Sequence, residues 1–222
     1  MSAVAAVPGL AATLDAEGLH HRYRLGRGLE PVSFSLSAPG AAAVTGANGS
    51  GKSTLLRIVA GLLRPTGGTC RLAIDGAAIT VGQCRERVGF ASPDLSFYDE
   101  LSVEENLKFA AEARGLRDVL RSVGETLDLI GLGSRAPERV ATLSSGMKQR
   151  LRLGFALLHQ PAVLLLDEPG SHLDEPGRTL VRTTIERHRR SGLVVFATND
   201  EQEWRLADQR IELRGGGLGH PA

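Results

Sequence analysis

The chain has 222 residues, 42% of them hydrophobic and 23% charged, a balance that suits one compact domain or a domain carrying an inserted lobe and excludes a disordered or fibrous chain. Its 26 basic and 25 acidic residues leave a net charge of +1, so no global field would hold it on nucleic acid or on an anionic membrane. Cys70 and Cys84 form no metal-ligand or CxxC pattern and read as thiols of a reducing compartment, the apolar opening over residues 1–10 lacks a basic n-region, and no stretch approaches the roughly 18 apolar residues of a membrane helix.

In chain order, Ala11 to Leu25 and Pro31 to Ser37 alternate in part and are followed by the turn pair Pro39-Gly40, which predicts antiparallel strands. Ala41 to Thr45 is a small apolar strand that enters a glycine-rich loop, and Ser53 to Leu63 has helical spacing at Leu55, Ile58, Val59 and Leu62. Arg71 to Ile74, Asp75-Gly76 and Ala77 to Val81 read as a hairpin, and Val88 to Ala91 as a brief strand. From Ser102 to about Leu132 the pattern is helical, with Val103, Leu107, Phe109 and Ala110 on its apolar face and interruptions at Gly115 and Gly124. A helix over Ser144 to His159 then precedes the apolar run Ala162 to Leu166, which fits a strand covered on both faces. Another helix over Pro176 to Arg190, the buried strand Leu193 to Ala197 and a terminal turn at Gly215 to Gly217 complete the reading.

Gly46-Ala47-Asn48-Gly49-Ser50-Gly51-Lys52-Ser53 fits GxxxxGK[ST] and stands after a strand and before a helix, where a phosphate loop belongs. Its glycines let backbone N–H groups point at phosphates, and the helix start adds unpaired N–H groups and the positive end of its dipole. The residues expected to contact nucleotide are Asn48, Gly49, Ser50, Gly51, Lys52, Ser53 and Thr54, with Lys52 on the β- and γ-phosphates and Ser53 on Mg²⁺. A plain turn explains one or two glycines, but not a Lys-Ser pair at the head of an apolar helix.

After Val163 to Leu166 come Asp167 and Glu168, two carboxylates at the C-terminal end of a buried strand, where ligands of open α/β sheets bind. Asp167 is the candidate Mg²⁺ ligand, and Glu168 the candidate general base or water-orienting group. A single acid there would read as a cap; the pair in this setting needs chemistry. A phosphate loop and a metal acid alone also fit a nucleotide kinase, a GTPase or a helicase motor.

Leu143-Ser144-Ser145-Gly146-Met147 narrows the choice, because it opens a helix just before the acidic strand and resembles the LSGGQ signature of ATP-binding cassette proteins. Ser171-His172-Leu173-Asp174 resembles the D-loop of the same family. The resemblance implies an α/β fold with a RecA-like P-loop core, an N-terminal antiparallel β subdomain and an inserted α-helical subdomain. One cassette domain would fill residues 1–222, with its core over 10–92 and 155–215 and the helical subdomain over about 93–154. It also implies a head-to-tail pairing of two such domains, the simpler choice being a homodimer. In that pairing Ser144 and the N–H groups of Ser145 and Gly146 would reach the ATP held by the partner copy's phosphate loop. Tyr23 matches the aromatic that the family stacks on adenine, although an aromatic in a short strand also packs as an edge residue.

Two positions depart from the family pattern. Pro93 stands where the family has a Gln that helps bind Mg²⁺ and the attacking water, and Pro offers neither an amide side chain nor an N–H. Asn199 stands where the family has a His contacting the γ-phosphate; its amide donates a hydrogen bond but carries no charge. A working but slowed ATPase is the expectation.

The stretch from Leu95 to Leu107 and the ending Gly146-Met147-Lys148-Gln149-Arg150 resemble subunits of small bacterial exporters, including heme-exporter and antibiotic-exporter types. That resemblance implies an integral membrane permease as partner, no nucleic acid, and a cytoplasmic location peripheral to the inner face of the cell membrane. Phe97 and Tyr98 would then border the groove that receives a helix of the permease. The alternative is an ATP-dependent regulatory dimerisation switch with weak or no hydrolysis.

Overall fold

The computed structural model describes residues 11–24, 26 and 28–214; the readings made for residues 1–10, for Leu25 and for Gly215 to Gly217 lie outside them. β1 (Ala12–Arg22) and β2 (Gly28–Ser37) pair antiparallel, and alternation turns Ala12, Leu14 and Ala16 of β1 inward. β3 (Gly40–Thr45) is buried almost throughout and runs through the glycine loop into α1 (Lys52–Val59). The helix stops four residues short of the expected Leu63, because Gly61 takes a φ of 71° and donates its N–H to the Ile58 carbonyl.

β4 (Gly67–Ile74) adds to β1, and Asp75 and Gly76, with φ of 52° and 78°, turn the chain into β5 (Ala77–Ala78). The hairpin does not reach Val81. Instead Thr80 and Gln83 form a capping box at the start of α2 (Val81–Arg87), a T-x-x-Q signal that the strand reading passed over. β6 (Val88–Ala91) follows as expected.

α3 (Val103–Ala113) and α4 (Val119–Leu129) break at Gly115, whereas Gly124 lies inside α4 without interrupting it. The buried stripe of α3 is Val103, Asn106, Leu107, Ala110 and Ala111, so Phe109, expected on that face, falls off it and is 50% exposed. Asn106 is the polar member of the stripe: its amide donates to the Tyr98 and Ser102 carbonyls and accepts the Tyr98 N–H, which pins the loop ahead of the helix. α5 (Ser145–Leu157), β7 (Val163–Asp167), α6 (Glu175–His188) and β8 (Leu193–Ala197) stand where the periodicity put them. α7 (Glu201–Trp204) and the edge strand β9 (Gln209–Glu212) were not anticipated; only Ile211 of the strand is buried, too little for an apolar signal.

The strands form an antiparallel sheet ordered β2-β1-β4-β5 and a wholly parallel one ordered β6-β7-β8-β3-β9. Both faces of the parallel sheet are covered. Val44, Leu165 and Val195 pack with α1 and the antiparallel sheet, while Leu164, Leu166 and Phe196 pack with α5 and α6. A third apolar cluster joins α3, α4 and the Leu151 side of α5 into a helical lobe. Leu153 and Ala156 of the same helix face the sheet.

Candidate functional site

Parallel pairing aligns the strand ends, with Ala91 beside Leu166, Asp167 beside Ala197 and Val44 beside the same alanine. The loops after β3, β6, β7 and β8 therefore emerge on one edge, the carboxyl edge where open α/β sheets bind ligands. Most of the candidate residues sit on those loops.

In the loop after β3, Gly46, Gly49 and Gly51 have φ of 146°, 82° and 98°, values that residues with a Cβ rarely adopt. A Cβ on Gly51 would also come within 2.9 Å of the Gly28 carbonyl oxygen, so the loop needs a glycine to pass β2. Lys52 is 6% exposed and its Nζ donates to the Gly46 and Ala47 carbonyls at 2.7 and 3.3 Å. Asn48 and Gly49 form the exposed tip, Ser50 lies buried beneath it, and Ser53 and Thr54 continue into α1. Tyr23 is exposed at the end of β1, 3.4 Å from the Thr54 hydroxyl and edge-on to His21.

Asp167 is buried, and its Oδ1 has no hydrogen-bond partner. Burial holds its carboxyl above the ordinary range; the Ser53 hydroxyl opposes this, the Glu168 carboxylate adds to it, and Arg57 and Asp94 act in opposite senses from further off. An orphaned carboxylate oxygen beside a hydroxyl suits a hard divalent cation, and Ser53 and Asp167 fit that role. Among the described residues no group of three or more His, Cys, Asp or Glu side chains could hold a metal.

Glu168 is exposed, with a φ of 48° uncommon for a residue with a side chain. Its N–H donates to the Ala197 carbonyl at 2.9 Å, and Ser171 Oγ donates to Oε2 at 3.4 Å. Asn199 meets the phosphate loop, its Nδ2 donating to Asn48 Oδ1 at 2.9 Å. Pro93 is exposed after β6; next to it Asp94 pairs with Arg57 of α1 and donates its N–H to the buried Ser92 hydroxyl.

Ser144 caps α5, its Oγ accepting the Met147 N–H at 3.2 Å. Ser145 and Gly146 open the helix beside the loop after β7, where a Cβ on Gly146 would come within 3.1 Å of the His172 carbonyl oxygen. Among the described residues no hydrogen bond joins residues 144–146 to the phosphate loop of the same chain. Of the two lobe aromatics, Phe97 packs inward on Phe155 at 5.1 Å, whereas Tyr98 forms an exposed edge-to-face pair with Phe109 at 5.3 Å.

Sequence reasoning missed Gln149. Buried on α5, its Nε2 donates to the Glu168 and Pro169 carbonyls at 3.3 and 3.2 Å, and Arg152 ties it to the Leu95 carbonyl of the loop after β6. The signal was its i, i+4, i+7 spacing with Leu153 and Ala156 on the sheet-facing side of the helix.

A protein-family model described as "ABC transporter" matches residues 29–171. The uncharacterized ABC transporter ATP-binding protein YxlF of Bacillus subtilis is 36% identical over 208 residues, which cover 91% of this chain and 68% of that one. The linearmycin resistance ATP-binding protein LnrL of the same organism is 29% identical over 194 residues, covering 86% and 62%. The molybdenum import ATP-binding protein ModC of Brucella melitensis is 38% identical over 187 residues, covering 80% and 51%. The chain thus spans between half and two thirds of the length of several of its relatives. Among solved structures, the ATP-binding cassette MJ0796, in a dimeric post-hydrolysis state bound to ADP and Pi, superposes with a TM-score of 0.81 at 22% identity, covering 91% of this chain and 95% of that one. That likeness establishes the cassette fold.

Proposed function

The chain belongs to the ABC transporter family of ATP-hydrolysing, ATP-binding subunits, and on that premise we propose that two copies of it pair to drive an exporter. The observation that carries the reading is the convergence of Lys52, Ser53, Asp167 and Glu168 on one edge of the parallel sheet.

In this reading Lys52 gives up its bonds to the loop carbonyls and takes the β- and γ-phosphates, while the N–H groups of residues 48–54 hold the phosphate oxygens. Tyr23 stacks on the adenine. Ser53 and Asp167 would hold Mg²⁺, which when bound neutralises charge between the phosphates. Glu168 orients a water and accepts its proton as oxygen bonds to the γ-phosphorus and ADP leaves. Asn199 turns its amide from Asn48 to a γ-phosphate oxygen. Ser144, Ser145 and Gly146 serve the other copy's nucleotide, a role supported by the exposure of Ser144 and Ser145 at the start of α5. Pro93 offers no amide to the metal and water, and Asn199 reaches the γ-phosphate without charge; losing one transition-state donor costs on the order of 10² in rate.

The exporter assignment is supported by the stretches from Leu95 to Leu107 and Gly146 to Arg150, and by similarity to a linearmycin resistance subunit. Similarity to an import subunit supports the opposite direction, so transport in membrane vesicles with the co-purifying permease decides between them. We assign the exposed Tyr98–Phe109 pair to the permease contact, on the cytoplasmic face of the membrane.

Glu168→Gln tests the chemistry. Phosphate release is expected to fall by about 10² to 10³, with ATP still bound and the pair now persisting in size-exclusion chromatography. A parental rate of turnover in that variant, or ATP bound by the parent and never cleaved even with its permease, overturns the reading.

A further inference from the structure

α7 carries a buried acid that has no part in the chemistry just described. Glu203 is 8% exposed, and its Oε2 accepts the Thr198 hydroxyl at 2.5 Å. That hydroxyl in turn accepts the Asp200 N–H at 3.0 Å. The other carboxylate oxygen packs directly against Gly170, where an added Cβ would overlap it. One side chain thus stands between two loops that carry different parts of the site. Gly170 is two residues beyond Glu168, and Thr198 immediately precedes Asn199.

An interior carboxylate is retained only where donors replace the water it has lost. Here the hydroxyl donor comes from one loop and the close packing surface from the other, so the carboxylate fits best when the two loops keep a fixed separation. Burial raises its carboxyl pKa; the Thr198 bond opposes this, Asp200 adds to it, and Arg178 of α6 and the Gly170 N–H oppose it further.

We propose that Glu203 is a positioning residue for ATP hydrolysis: by bridging Gly170 and Thr198 it sets the Glu168 carboxylate against the Asn199 amide without touching the substrate. The inference rests on the roles assigned above to Glu168 and Asn199. Geometry of this kind matters because a displacement of about 1 Å at a reacting group costs on the order of 10² in rate.

The test uses the purified full-length chain, with kcat and KM for Mg-ATP, the affinity for a fluorescent ATP analogue, and the melting temperature of each variant. Glu203→Met keeps the length of the side chain and removes both acceptors. Its kcat is expected to fall about 10- to 100-fold, with KM and analogue affinity within about threefold of the parent. Thr198→Val deletes one hydroxyl at constant shape, so it keeps the test alive if the Met variant does not fold. It should lower kcat about 3- to 10-fold in the same KM-neutral way, and in combination with Glu203→Met it should add little. Glu203→Gln, which still offers an oxygen to Gly170 and lets the Thr198 hydroxyl turn to accept, should recover kcat to within about threefold of the parent.

A parental kcat in Thr198→Val, or a fall in rate matched by a fall in nucleotide affinity or accounted for by a lost folded fraction, overturns the proposal. Glu168→Gln run in parallel separates the two readings. If it is slow while Thr198→Val is parental, only the bridge fails; if it turns over normally, the assignment of Glu168 as the catalytic base fails first.

Discussion

The loop after β3 holds its buried lysine with carbonyls of its own, whereas the loop after β7 is held by the side chain of Gln149, which lies outside it. In the first, Lys52 closes on the carbonyls of Gly46 and Ala47, six and five positions away, and glycines supply every left-handed turn. In the second, Glu168 and His172 hold φ of 48° and 62° without being glycine. Gln149 donates to the carbonyls of Glu168 and Pro169, the Glu168 N–H donates to the Ala197 carbonyl, and Glu203 packs against Gly170. The half we assign to phosphate is prepared by its own residues; the half we assign to the attacking water is also braced from outside.

Lys52→Met attacks the first half and should have the largest effect. Removing the one charge in residues 46–53 is expected to weaken ATP binding by about 100-fold, read by equilibrium dialysis, while the two freed carbonyls lower stability in urea by about 1 kcal/mol. A variant that unfolded as well would show that the loop leans on its surroundings after all. Gln149→Leu attacks the second half. It leaves two backbone carbonyls short of a donor, so it should cost about 1 to 3 kcal/mol of stability and about tenfold in kcat, with KM nearly unchanged. Unaltered denaturation and kinetics would remove the contrast between the loops.

The smallest effect concerns the opposite end of the sheet. His159, bonded to the Val88 carbonyl, and His188, beside Ala162, are both held down to a pKa of about 4, chiefly by burial. The unfolded chain takes up protons near pH 6.5 where the folded one does not, so stability is full above that value and is lost as pH falls toward 4. Between pH 7.5 and 5.5 the loss should be about 1 kcal/mol for each histidine, and His188→Asn should flatten the slope measured in urea. A slope that persisted in the variant would assign the acid sensitivity to other groups.

How much of this could be read from the amino-acid string follows the same division. Gly46 to Ser53 is a contiguous motif, and the Val163 to Glu168 run is a buried strand with its acids at the end, so local pattern sufficed. The strand and helix cores were legible for the same reason, their period being written in neighbouring residues. α2, α7 and β9 were not, because a Thr80 cap, a four-residue helix and a strand with one buried residue give no periodic signal. Gln149 and Glu203 were missed on different grounds: each acts on a backbone 19 to 33 positions away, a proximity that only the folded chain creates. Phe109 shows the converse, an aromatic assigned inward that the α3 stripe leaves outside.

α5 belongs to two packings at once, with Leu151 in the lobe and Leu153 and Ala156 on the sheet. A rod clamped at both sides transmits tilt: any rocking of the lobe against the core has to swing this helix, and Gln149 would tug on the peptide that carries the acid. One helix thus connects the orientation of the outer lobe to the peptide of Glu168.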